Sequence, residues 1–306
     1  MSFDLMDGWV PPEERTYEVA KRHDEIVSFA RLFSTAAAPL SDTGKGKVVL
    51  LWKALETVIK GPLPPRAQAI GDCVSWGFGH CVDVLSAVEI VLRGEAEHYL
   101  ADCATEWIYG TSRVIQGGGR LRNSDGSLGS WAQAAVKENG TLIRKDYGNG
   151  VDLRKYSGDR AKDWGWRGLP HEMEKTADEH PVETTALVTS YEEARDSIAN
   201  GYPVAVCSGV GFTMERDSEG FCRRKGSWAH CMAFTAVDDA HRRPGLLCQN
   251  SWGDYVGGPT RHGQPVGSFW VDAETADAML RQNDSYALSG FRGYPKQVDK
   301  LDHRPW

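Results

Sequence analysis

The sequence predicts an α+β fold, a mainly helical region followed by a mainly β one. Three observations point there. Apolar residues recur every three to four positions through Val74, Phe78, Cys81, Val82, Leu85 and Val88, the pattern of a buried amphipathic helix. Residues after 227 alternate as strands do, over 229–236, 245–249, 268–271 and 286–291. At 306 residues the chain can hold one large domain, or two lobes around a cleft, with a sizeable core.

Residues 1–60 read as an N-terminal helical extension. Within it, 13–33 predicts a helix with Tyr17, Ala20, Ile26, Val27, Phe29, Ala30 and Phe33 on a broad apolar side. A loop over 35–47 leads to a second helix over 48–59, stopped by Gly61-Pro62. Thr43-Gly-Lys-Gly-Lys47 lacks the spacing that cradles phosphate.

Residues 61–183 form the helical lobe. A proline-rich connector at 62–66 precedes the long helix 73–92, which ends at Arg93-Gly94. Helix 100–114, a glycine-rich loop at 116–126 and a short helix at 131–138 follow, then irregular structure over 145–169. Residues 184–295 form the β lobe, with strands at 184–189 and 203–208, helices at 191–199 and 272–281, and the alternating segments above. Residues 296–306 are a polar tail.

Composition narrows the function. Charged residues at 25% and hydrophobic residues at 41% are ordinary for a soluble globular protein. A net charge of −7 gives no reason to expect nucleic acid or an anionic membrane as partner. Residues 1–12 have neither a basic n-region nor an apolar h-region, and no apolar run reaches the roughly 18 residues of a membrane span. A cytoplasmic or virion-associated protein without a secretory signal is expected. Seven cysteines, an odd number with no CxxC spacing and no HExxH motif nearby, read as reduced and buried, with no metal site.

One stretch carries chemistry. Cys73 follows the Gly71-Asp72 step and falls in the first helical turn, where unpaired N–H groups and the dipole favour a thiolate. His230 stands ahead of an apolar strand, and Asn250 follows twenty positions later at the head of Asn-Ser-Trp-Gly. Singly, such a cysteine is more often core, such a histidine structural, and such an asparagine a turn residue. The order Cys73, His230, Asn250 and the tetrad together resemble the papain-like cysteine peptidases, over roughly residues 62 to 295.

The resemblance implies a papain-like two-lobed fold, with the nucleophile helix in one lobe, an antiparallel β-barrel-like second lobe and the cleft between them. It implies Cys73 as nucleophile, His230 as base, Asn250 as its orienter, and Gln68 with the Cys73 backbone N–H as oxyanion donors. Asp125-Gly-Ser-Leu-Gly-Ser-Trp131 resembles the cleft wall. Gly126, Ser127, Gly129, Trp131 and Trp252 are then substrate-binding, with the 208–212 loop as a further wall. Trp252 would shield the Asn250–His230 hydrogen bond. No cofactor is required, and the partner is a peptide or protein substrate. Three features depart from the family: Gln68 lies five positions before Cys73, one fewer than usual; Val74 replaces the usual Trp; and the preceding cysteine is absent.

In this family an N-terminal segment often blocks the cleft until cleaved. Residues 1–60 either do so or pack permanently on the body. Two alternatives to peptide hydrolysis remain: a papain-fold structural or binding component of a virion or larger assembly, and an acyl transferase using the same three residues.

Overall fold

A computed structural model describes residues 7–94 and 98–290. The tail at 296–306 lies outside them. The N-terminal region supplies α1 (Tyr17–Val27), β1 (Arg31–Leu32), α2 (Phe33–Ala36), β2 (Val48–Leu50) and α3 (Trp52–Ile59). The helical half follows as α4 (Cys73–Val88), α5 (Thr105–Gly110), α6 (Gly129–Glu138), α7 (Gly158–Arg167) and α8 (Glu174–Asp178). The β half comprises β3 (Thr184–Leu187), α9 (Tyr191–Ala199), β4 (Val204–Phe212), β5 (Arg224–Asp238), β6 (Gly245–Gln249), β7 (Phe269–Asp272), α10 (Ala273–Leu280) and β8 (Tyr286–Ser289).

The strands join in the order β1-β3-β8-β4-β5-β6-β7, with β2 also on β5. All pairings are antiparallel except β1 with β3. β5 organises this sheet because its 15 residues outrun any single neighbour. β4 pairs with it as far as Phe234, and β2 takes over at Ala236–Asp238. Helix α4 lies against β5, buried along nearly its whole length. With the π-helical turn after it, α4 makes a 21-residue apolar segment, Cys73–Arg93, with a mean hydropathy of 1.3 in its most apolar window. That window is 72% buried inside the protein, so its apolarity serves the core.

Four segments differ from the sequence expectation. The 13–33 helix stops at Val27, and Arg31 and Leu32 pair with Ala186 and Leu187. The 48–59 helix starts only at Trp52, because Val48–Leu50 pair with β5 instead, as β-branched residues beside an open edge do. The 35–47 loop holds short helical turns. Part of 145–169 is helix α7, capped where Ser157 Oγ accepts the Arg160 N–H at 3.2 Å and buried through Ala161, Trp164 and Gly165.

The N-terminal region is therefore woven into the sheet. Trp52, fully buried, packs edge-on to Trp270 with ring centroids 6.4 Å apart. Trp52→Ala should cost about 3–5 kcal/mol in urea unfolding. A loss under about 1 kcal/mol would mean that α3 packs as a detachable element.

Candidate active site

Cys73 is the first residue of α4 and its side chain is buried. The turn before it is held from outside. The Tyr156 hydroxyl donates to Asp72 Oδ2 at 2.9 Å and accepts the Ala69 N–H at 3.2 Å. Burial pushes the Asp72 carboxyl well above the usual carboxylate range, against the Tyr156 hydrogen bond that lowers it. Cys73 Sγ accepts the Cys231 backbone N–H at 3.4 Å, from the residue next to His230. Burial raises the Cys73 thiol well above its ordinary value, and the Cys231 N–H opposes that only in part.

His230 lies in β5 and Asn250 just beyond β6. Asn250 Oδ1 is 2.8 Å from His230 Nε2 and also accepts the Ser251 backbone N–H at 2.6 Å. Because a backbone N–H can only donate, the Asn250 atom there must be the oxygen, and His230 Nε2 must carry the proton. The Asn250 amide nitrogen donates to the Tyr255 hydroxyl at 2.6 Å, which locks this orientation. Trp252 covers the imidazole, ring centroids 4.2 Å apart. His230 Nδ1 is buried with no hydrogen-bond partner among the described residues, a bare lone pair able to accept a proton. Burial lowers the His230 pKa to about 4, against the Asn250 bond that raises it. No hydrogen bond joins Cys73 and His230 among the described residues.

Gln68 sits beside this group. Its backbone N–H donates to the Ser251 carbonyl at 2.8 Å, in a short antiparallel pairing of Ala67 with Trp252. Its Oε1 accepts from Ser251 Oγ at 2.6 Å, and its Nε2 donates to the Ile70 carbonyl at 2.9 Å. The shortened approach to Cys73 thus ties the Gln68 amide to its own loop in this state.

Of the expected wall residues, Ser127 exchanges backbone hydrogen bonds with Gly8 and Val10, and the Gly126 carbonyl accepts from Arg113. That guanidinium is buried and donates to the carbonyls of Gly126, Arg122, Ser124 and Gly165. Gly129 and Trp131 have other duties. Gly129 N–H donates to Asp284 Oδ2 at 2.9 Å, and Trp131 packs fully buried with Val19 and Leu128. Residues 208–212 are strand rather than loop, with Ser208 opposite His230. Tyr156, Tyr255, Arg113 and Asp284 carried no signal in the sequence, since each acts through partners distant along the chain.

Residues 8–10 cross between the turn before Cys73 and the strand that carries His230. Gly8 and Trp9 N–H both donate to the Ala229 carbonyl, at 2.9 and 3.0 Å. Val10 N–H donates to Ser127 O at 3.0 Å and Ser127 N–H to Gly8 O at 2.8 Å, so the segment runs parallel to the wall. A Cβ on Gly8 would stand 2.2 Å from the Gly71 carbonyl oxygen, so only glycine passes over the turn before Cys73.

With the fold and this geometry in view, solved structures provide the comparison. Xylellain, a cysteine protease from Xylella fastidiosa, is similar over 94% of this chain and 97% of its own, at 15% identity and a TM-score of 0.56. Digestive procathepsin L 3 of Tenebrio molitor larval midgut covers 79% of this chain and 69% of its own, at 13% identity and a TM-score of 0.46. No protein-family model matches the sequence, and no curated protein does. The fold is the papain-like two-lobed α+β fold of cysteine proteases.

Imidazole ¹⁵N NMR should show His230 as the neutral Nε2–H form at pH 6, protonating near pH 4. A folded pKa below the unfolded 6.5 gives stability that is complete above pH 6.5 and lost as pH falls towards 4. A His230 midpoint near 6.5 would contradict the buried, locked geometry.

Proposed function

We propose that this chain is a cysteine peptidase working through Cys73, His230 and Asn250, and that residues 7–10 hold it closed. One observation carries the reading: a buried thiol at a helix start accepts the N–H beside an imidazole whose bare Nδ1 and fixed Nε2–H suit a base. In the opened cleft the Cys73 proton passes to His230 Nδ1, and the thiolate attacks a peptide carbonyl. The Cys73 backbone N–H and Gln68 Nε2, turned from Ile70, donate to the oxyanion, a contribution of about 3–4 kcal/mol per donor in other enzymes. Imidazolium gives its proton to the leaving amine as the C–N bond breaks. Water, deprotonated by His230, then cleaves the thioester and restores the thiol.

One feature favours a second reading, a papain-fold structural component without turnover: the thiol and the imidazole are both neutral and share no hydrogen bond. Iodoacetamide labelling across pH separates the two. The intact chain should label at Cys73 slowly and only at alkaline pH. Gly8→Val, which drives a side chain into the Gly71 carbonyl, should label at least about tenfold faster near pH 6, an effect lost with His230→Ala. The same variant should hydrolyse casein, and Cys73→Ala should abolish this. An ordinary thiol profile without hydrolysis in the opened variant would select the second reading.

A further inference from the structure

Cys207 and Cys231 face each other across β4 and β5. Residues directly opposite in an antiparallel pair have Cα atoms about 4.5–5.5 Å apart. A disulfide spans Cα separations of about 4.4–6.8 Å, so this register suits one without moving either strand. The side chains meet as well. Cys207 Sγ stands 2.8 Å from Cys231 Sγ, closer than the roughly 2.9–3.0 Å of an ordinary N–H···O hydrogen bond although sulfur is the larger atom. A thiol is a weak donor and a weak acceptor, so hydrogen bonding returns little for that approach. Cys231 Sγ reaches the Met232 carbonyl only at 3.9 Å. Both residues are buried, and burial raises both thiols, Cys231 to about 11 and Cys207 well above its ordinary value. Neither is a ready nucleophile in the folded chain, so reaction of the pair belongs to the time before the strands are covered.

We infer that Cys207 and Cys231 join as a disulfide while the chain folds in the presence of a disulfide oxidant, stapling β4 to β5 beside His230. The thiolate of one cysteine attacks oxidised glutathione, forming a mixed disulfide and releasing one glutathione thiolate, which takes up a proton. The second cysteine then attacks the protein sulfur of the mixed disulfide, closing the Cys207–Cys231 bond and releasing the second glutathione. Two thiols give up two protons and two electrons, and one glutathione disulfide becomes two glutathione molecules. From 2.8 Å to a bond of about 2.05 Å the sulfurs close by less than about 1 Å. The position matters to the candidate site, because the Cys231 N–H is the one that Cys73 Sγ accepts at 3.4 Å. Binding the Cys231 sulfur to Cys207 leaves Cys73 a free thiol and occupies the neighbouring sulfur that could cross-link to it. The inference stands apart from the peptidase reading. The reduced state expected of all seven cysteines then applies to five.

The test makes the full chain by cell-free translation, once in a mixture of reduced and oxidised glutathione and once in dithiothreitol, with folding checked by circular dichroism. Iodoacetamide in denaturant, added without reduction, then counts free thiols by intact mass. The glutathione sample should carry five labels and the dithiothreitol sample seven. Trypsin should release residues 196–216 linked to residues 226–242, each holding one cysteine, from the first sample alone. Closing a loop between residues 24 positions apart should raise the thermal midpoint by at least about 3 °C over the dithiothreitol sample. Cys207→Ala should carry six labels in both media and show no such rise. Seven labels in both samples, a cross-link of Cys231 to Cys73 or to any other cysteine, or the Cys207–Cys231 link with an unchanged or lower midpoint would each overturn the inference.

Discussion

Helix α4 and strand β5 approach so closely that only glycine fits between them. A Cβ on Gly77 would stand 2.8 Å from Cys231 Sγ and 3.0 Å from the Met232 carbonyl oxygen. That approach brings the first turn of α4 against β5, and the Cys231 N–H reaches Cys73 Sγ. Cys73 and Cys231, 158 positions apart along the chain, become neighbours through one packing contact. The remaining parts attach to the same strand. β6 pairs with β5 and ends where Asn250 can meet His230, and the Ala67–Trp252 pairing brings Gln68 back beside Ser251. A larger residue at 77 would displace Cys73 from the strand that carries His230 without touching either.

The same closeness explains why the resting pair is neutral. The dipole at the start of α4 favours a thiolate by about 0.3–1 kcal/mol, and up to about 2 in partly buried settings. Taking an ion out of water costs several kcal/mol. With Gly8 and Trp9 over the site the second effect is larger, so Cys73 stays a thiol and His230 an imidazole. Burial raises the Asp72 carboxyl beside them by the same rule. On the proposed reading, opening the cleft would reverse the balance by admitting water, with the helix, the strand and the Asn250 lock in place.

What the sequence made legible was whatever repeats locally or clusters in a short motif. The apolar spacing of α4, the strand pattern of β4 to β6, and the Asn-Ser-Trp-Gly tetrad all lie within a few residues of themselves. β1 and β2 are two and three residues long, and their pairing partners lie more than 150 positions away, so helical periodicity around them decided the expectation. α7 is polar on average and shows its buried face only at Ala161, Trp164 and Gly165. Trp131 illustrates the opposite error: an aromatic beside a glycine-rich wall suggested a cleft residue, yet its whole ring is needed to pack Val19 and Leu128. Asp284 has no local pattern, and its importance exists only because Trp9, Gly129 and Ser130 converge on it from elsewhere.

The short length of the closing segment matters for how the cleft could open. β1, β2 and α3 are bound into the sheet and core, so residues 31–59 cannot leave as a unit without disrupting the β half. Residues 7–10 are held by contacts that include four inter-segment backbone hydrogen bonds, the Arg15 bond to the Val10 carbonyl, the Trp9 indole and its bond to Asp284, and on the proposed reading these are what opening breaks. At about 0.5–1.5 kcal/mol for each hydrogen bond, plus about 2–3 kcal/mol for the buried ring, closure amounts to several kcal/mol. On the proposed reading the open state is then a small minority, well under about one part in a hundred. A tethered segment also competes at a millimolar effective concentration, which a weakly bound peptide cannot match. Pro11-Pro12 follows directly, and its stiff backbone keeps the segment aimed at the cleft. Severing the chain near these prolines would remove the tether and leave every strand in place, turning a permanent competitor into a dissociable one.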